Sequence, residues 1–301
     1  MTSDAWFAGG ERVSIELGGE RFKIFYRVSG AGPWLTALHG FPTNSWDWAK
    51  VVRELERCFK VLCFDFLGFG DSDKPRAHRY SIFEQADLTE ALWRALGVEQ
   101  TVVVAHDYGA TVAQELLARS KPAARVTSVT LLNAAVYAHL ARPLLIQRLL
   151  AGRLTGPIVA RAVTERTFRR SFESIFSPQH PIDEPEIHEH WRVLERRGGS
   201  ARLSHRLSHY MGDRKRHADR WETALEKAHC PVSFIWGMAD PRSGGHIAEE
   251  IHRRLPLAPF VELPDVGHYP QLEVPAAVAS EIAAAASRWR EPRSNRLPAD
   301  P

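Results

Sequence analysis

The chain has 301 residues, 44% of them hydrophobic and 25% charged, the balance of a soluble globular protein long enough to bury one large core. A formal net charge of +3 is too mild for a nucleic-acid binder, which needs a dense basic stripe interleaved with stacking aromatics. Three cysteines, Cys58, Cys63 and Cys230, match no zinc or redox spacing, so buried structural thiols in a reducing cytoplasm are expected, with no metal and no cofactor.

The start, "MTSDAWFAGGERVSIEL", lacks a basic stretch followed by an apolar one, and no apolar run approaches the ~20 residues of a membrane span. From there, β-rich runs alternate with helical patterns, which predicts an α/β protein with a mostly parallel sheet flanked by helices. The runs are "RVSIEL", "FKIFYRV", "WLTALHG", "KVLCFDF", "TVVVAHD", "VTSVTLLN", "VSFIWG" and "FVELPDV", which makes eight strands. Only "GGER" separates the first two, a turn signal that predicts an antiparallel hairpin at the sheet edge. Apolar residues at three- and four-residue intervals predict helices over 46–56, 81–96, 110–119, 244–255 and 274–290.

Almost a hundred residues separate the sixth strand from the seventh, and they carry helical patterns such as "RPLLIQRLLAG" and "HEHWRVLERR" but no convincing strand. A βα crossover needs far fewer, so the expectation is a helical cap at 135–225 inserted between core segments 1–134 and 226–290, followed by a disordered tail at 291–301. Residues 139–222 hold 16 Lys/Arg against 10 Asp/Glu, a basic excess that solvated helix faces can explain.

Ligands of open α/β sheets bind beyond the carboxyl ends of the strands. Four such points carry candidate chemistry. After the third strand, "HGFP" (His39, Gly40, Phe41, Pro42) can aim the Phe41 N–H into a site as an oxyanion donor. After the fifth, "VVVAHDYGA" reads as a strained strand-to-helix elbow, with Ala105, Gly109 and Ala110 small enough for close approach and Asp107 at the tip. The N–H of Tyr108, opening the helix, would be a second oxyanion donor. Taken alone, Asp107 also reads as a helix N-cap. "WGMADP" places Asp240 after the seventh strand, and "DVGHYP" places His268 after the eighth.

The order nucleophile, acid, histidine suits an α/β-hydrolase arrangement. A carboxylate attacking an acyl carbon forms only an anhydride. On an sp³ carbon bearing a leaving group it forms an alkyl ester, which water activated by His268 and Asp240 can cleave. Epoxide opening or halide displacement is therefore expected, rather than esterase work.

At these residues the chain resembles the α/β-hydrolase superfamily, in its aspartate-nucleophile branch of epoxide hydrolases and haloalkane dehalogenases. "DFLGFGDSDKP", "YSIFEQA", "HDYGATVAQELL", "RPLL" and "HYPQLE" further resemble the mesoderm-specific transcript group, of which this chain looks like a soluble relative. The epoxide-hydrolase resemblance implies two cap tyrosines that bind the epoxide oxygen. Tyr210 is similar to the second, while Tyr137 is a weak stand-in for the first, since no tyrosine lies between them. The dehalogenase resemblance implies a tryptophan after the nucleophile, where Tyr108 stands. Fluoroacetate dehalogenases carry arginines there, and neither Tyr108 nor Thr111 supplies one. The expected function is an epoxide hydrolase acting on a small apolar electrophile, as a monomer or homodimer without nucleic-acid or membrane partners. The alternatives are a haloalkane dehalogenase or a non-catalytic binder of small ligands.

Overall fold

The computed structural model describes residues 1–288, so the tail expected at 291–301 lies outside the described residues. In chain order come α1 (Ser3–Ala8), β1 (Glu11–Leu17), β2 (Glu20–Ser29), β3 (Trp34–Leu38), α2 (Ala49–Leu55), β4 (Lys60–Phe64), α3 (Ile82–Leu96), β5 (Gln100–His106), α4 (Tyr108–Leu117) and β6 (Arg125–Leu132). Seven helices follow without a strand: α5 (Leu145–Ala151), α6 (Thr155–Ala162), α7 (Glu165–Glu173), α8 (Glu184–Glu195), α9 (Ser204–Leu207), α10 (Tyr210–Arg216) and α11 (Ala218–Glu226). The sheet resumes with β7 (Val232–Gly237), α12 (Gly245–Arg254), β8 (Phe260–Leu263), α13 (Pro270–Glu273) and α14 (Pro275–Arg288).

The eight strands form one sheet in the order β1-β2-β4-β3-β5-β6-β7-β8. β1 and β2 are an antiparallel hairpin, β2 also pairs antiparallel with β4, and every other pairing is parallel. The pattern of each strand follows from its place. β5, between β3 and β6, is covered on both faces and reads as a nearly continuous apolar run, whereas edge strand β1 alternates buried and exposed residues near its end.

One face of the sheet packs on α3 and α4 through Leu88, Leu92, Trp93, Val112 and Leu116, and the other on α2 and α14 through Val51, Val52, Leu55, Val278 and Ile282. Each such side chain contributes roughly 1.5–3 kcal/mol on burial. β3 connects to β4 on one side and its other neighbour β5 connects away to β6, so the strand order reverses between β3 and β5, and a crevice opens beyond their carboxyl ends.

Cys63 is buried in β4 and Cys230 partly buried, but Cys58 is exposed. The expectation of a buried thiol fails there because Cys58 falls in the turn between α2 and β4, outside any packed face. No helix among the described residues is long and apolar enough to cross a membrane.

Candidate active site

β5 ends in a turn whose tip, Asp107, has φ 43° and ψ −104°, one of two non-glycine residues with positive φ among the described residues. Such a backbone costs on the order of 1–3 kcal/mol for a residue with a side chain, so the surrounding packing must impose it. Gly109 is part of that packing. A Cβ there would stand 2.5 Å from the Leu38 carbonyl oxygen, so only glycine lets α4 approach β3, and its N–H donates to the His39 carbonyl at 3.0 Å.

The "HGFP" turn closes over Asp107 from β3. The Phe41 N–H donates to Asp107 Oδ2 at 3.1 Å. His39, fully buried, fixes that turn: its Nε2 accepts from the Phe66 N–H at 3.2 Å, so Nδ1 carries the proton and donates to the Gly40 carbonyl at 2.8 Å. Burial pushes the His39 pKa down, against the pull of Asp65, which keeps it in this neutral form. Tyr108 opens α4, so its N–H is among the donors that a helix leaves without an internal partner. Its phenol is buried against Phe66, Phe69 and Tyr210 and is not among the residues lining the cavity.

Asp240 and His268 meet beside this turn, with His268 Nδ1 2.7 Å from Asp240 Oδ2. Asp240 Oδ2 also accepts from Ser243 Oγ at 2.6 Å and Asn133 Nδ2 at 3.0 Å, while Oδ1 accepts from the Arg242 N–H at 2.7 Å. Burial alone would raise the Asp240 pKa, but His268 and these donors outweigh it and hold the carboxyl below its ordinary value. For His268 burial acts downward, and the charges of Asp240 and then Asp107 overcome it, leaving the imidazole pKa raised.

Sequence reasoning missed Asn133, which joins three strand ends. Its carbonyl accepts the Asp107 N–H at 3.2 Å, and its amide exchanges bonds with Gly237 at 2.8 and 2.7 Å in addition to the one to Asp240. Its position as the last residue of "LLN" was the available signal. His106 was missed too: its Nε2 donates to the His268 carbonyl at 2.7 Å, and its Nδ1 sits where a Gly40 Cβ would be 2.7 Å away. Burial, then the neighbouring His268, depresses its pKa well below the ordinary range, so it serves as a neutral spacer.

Helices from the segment after β6 complete a cavity of about 640 Å³, lined by Asp107, His268, Phe41 and Ser243 from the sheet side and by apolar residues such as Leu150 and Phe172 opposite. Tyr210 and Arg214 of α10 share the cavity with Asp107. Tyr210 lines the cavity, its ring 5.7 Å from that of Phe41. Burial and then the charge of Asp107 raise its phenol pKa, while Arg214, 4.9 Å from the ring centroid, pulls it back. Arg214 is the third residue sequence reasoning missed. It is buried, gives two hydrogen bonds to Thr111 Oγ1 at 2.7 and 3.0 Å, and holds Nη2 3.9 Å from Asp107 Oδ1. The guanidinium absent from positions 108 and 111 thus arrives from α10.

Tyr137 does not join this group. It is not among the cavity residues, its ring packs 4.5 Å from the Arg254 guanidinium, and its hydroxyl has no partner among the described residues. Burial and the carboxylates of Glu226, Glu222 and Glu250 raise its pKa.

The sequence pattern of the alpha/beta hydrolase fold matches residues 33–275. LipZ of Mycobacterium tuberculosis is 39% identical over 287 residues, covering 93% of this chain and 97% of its own length. The mesoderm-specific transcript protein of Mus musculus is 40% identical over 267 residues, covering 84% of this chain and 79% of its own. Among solved structures, haloalkane dehalogenase DbeA from Bradyrhizobium elkani superimposes with a TM-score of 0.76 at 21% identity, over 93% of this chain and 99% of that one. Epoxide hydrolase CorEH does so with a TM-score of 0.74 at 21% identity, over 93% and 100%. Sheet order, elbow and matched sequence agree: the chain belongs to the alpha/beta hydrolase fold family.

Proposed function

We propose that the chain is an epoxide hydrolase working through an ester on Asp107, with the helices between β6 and β7 as a cap over the site. The observation that carries this reading is the division of the Asp107 carboxylate: Oδ2 is held by the Phe41 N–H, while Oδ1 stands beside the Arg214 guanidinium. In the first step Oδ1 bonds to a ring carbon, and the ring C–O bond breaks with its electron pair on oxygen. That alkoxide takes the Tyr210 phenolic proton, and Arg214 faces the negative charge as it leaves the carboxylate. Ester formation neutralises Asp107, which removes one cause of the raised phenol pKa at the moment the proton is needed.

In the second step His268 takes a proton from water, whose oxygen adds to the Asp107 carbonyl carbon. The N–H groups of Phe41 and Tyr108 hold the oxyanion on Oδ2. On collapse the diol oxygen leaves with the proton from His268, and the acid proton left on Asp107 returns through solvent to the Tyr210 phenolate. The sum is epoxide plus water to diol.

The same Arg214 N–H groups would hold a departing halide, which keeps dehalogenation as the second reading. The cavity lining contains neither tryptophan nor asparagine as an alternative halide donor, and a halide-release screen separates the two. The test of the ester itself is a single turnover in heavy-oxygen water followed by peptide mass analysis. The Asp107 peptide is expected to gain heavy oxygen; turnover of an epoxide without that gain overturns the mechanism.

A further inference from the structure

Between Glu115 and Glu165 the chain contains no acidic residue, yet Arg142, Arg148, Arg153 and Arg161 fall on or beside α5 and α6, all exposed. Among the described residues none of the four lies within 4.0 Å of a carboxylate. Some arginines elsewhere are multiply paired, as Arg119 is with Asp87, Glu90 and Glu115, and Arg254 with Glu222, Glu226 and Glu250. On the same hairpin four large apolar side chains face outward: Leu145 at 72% exposure, Leu149 at 39%, Leu154 at 83% and Ile158 at 68%.

Leu145 and Leu149 share a face of α5 at i,i+4, and Leu154, just before α6, repeats that spacing with Ile158. The two helices are closely packed. A Cβ on Gly156 would stand 2.3 Å from the Leu150 carbonyl oxygen, so the hairpin presents this face as one body. Ile146 and Leu150 line the cavity that holds Asp107, and so do Arg142 and Arg148, which are exposed as well.

We infer that the α5–α6 hairpin docks on an anionic lipid surface, its leucines and Ile158 entering the headgroup region and its arginines meeting lipid phosphates. A patch of large aliphatic side chains bounded by unpaired cations is the chemistry of an interfacial helix, which lies on a bilayer without crossing it. A second copy of this chain fits the patch less well, because a symmetric contact would bring eight unpaired arginines together. Docked this way, the cavity wall formed by Ile146 and Leu150 lies directly behind the lipid contact, and an apolar molecule dissolved in the bilayer has a short path to it. The docking is independent of the reaction carried out in the cavity.

The experiment is flotation of the full chain with vesicles of pure phosphatidylcholine and of phosphatidylcholine containing phosphatidylglycerol, at low and high salt, alongside sedimentation equilibrium without lipid. The chain is expected to float with the anionic vesicles only, and raising the salt is expected to release it. The variant carrying Leu145→Ser, Leu149→Ser, Leu154→Ser and Ile158→Ser should bind at least about tenfold more weakly with an unchanged melting temperature. Arg148→Glu with Arg153→Glu, which leaves the apolar face whole, should do the same and lose the salt dependence. No flotation, equal flotation with both vesicles, or a dimer that the serine variant dissociates would each overturn the inference, the last by assigning the patch to a second copy.

Discussion

The strand ends of the sheet and the helical segment between β6 and β7 contribute to one cavity in different ways. At the strand ends the central polar groups have several partners each: Asp240 has His268, Ser243, Asn133 and the Arg242 N–H, and Asp107 has Phe41 and Asn133. The helical segment supplies fewer groups to the site, chiefly Tyr210 and Arg214, and elsewhere leaves buried atoms such as both ring nitrogens of His190 without a hydrogen-bond partner among the described residues. The contrast teaches that, under the proposed mechanism, the sheet would fix which bonds change, while the helices would set which molecule arrives and where its charge goes.

If that division holds, substitutions at the strand ends should act on rate. Asp107→Ala removes the group that would carry the ester, so epoxide turnover should fall by about 10⁴-fold or more, at unchanged affinity for an inert cavity ligand. An affinity loss of similar size would break the comparison. Asp240→Asn should cost about 10²–10⁴ in ester hydrolysis and should also move its pH profile. The sign follows from the base being the neutral imidazole: activity rises as pH passes upward through the raised His268 pKa. Removing the Asp240 charge lowers that pKa, so the acid limb should shift to lower pH. Stopped-flow rates against pH test this directly.

The helical segment should give smaller effects. Tyr210→Phe should slow ring opening by roughly 10²-fold while leaving hydrolysis of a preformed ester intact. Glu273→Gln tests the seam between the two regions. Its carboxylate accepts N–H donors of Gly267 at 2.8 Å and Tyr269 at 3.1 Å from the histidine loop, and of Ser177 at 3.1 Å from the helical segment. Calorimetric unfolding should show a loss of about 1–3 kcal/mol. The smallest change concerns the elbow's backbone: Asp107→Gly should be more stable than Asp107→Ala by about 1 kcal/mol, because glycine adopts its positive φ without strain.

The two regions were also unequally legible. All eight strands lie where their β-rich runs indicated, and Asp107, Asp240, His268 and the "HGFP" turn come together because each directly follows a strand whose order in the sheet forces convergence. α1 escaped notice since six residues carry too little periodicity, although Trp6 and Phe7 are buried. Arg214 could not be singled out from "GDRKR", where Lys215 and Arg216 beside it are exposed. A polar residue facing a cavity and one facing solvent leave the same mark in a helical pattern. For the same reason Tyr137 and Tyr210 were both candidates, though only Tyr210 lines the cavity.

The main-chain N–H of His268 donates to the carbonyl of Ile175, at 2.8 Å, in the stretch between α7 and α8. His268 is therefore hung from the very segment that roofs it, and Ile175 acts as an anchorage as well as a wall. A roof hinged at that edge would slacken the imidazole each time it lifted. A guest entering at the opposite edge, by α5, would leave the tether taut, so under the proposed mechanism His268 would keep its place as the cavity filled.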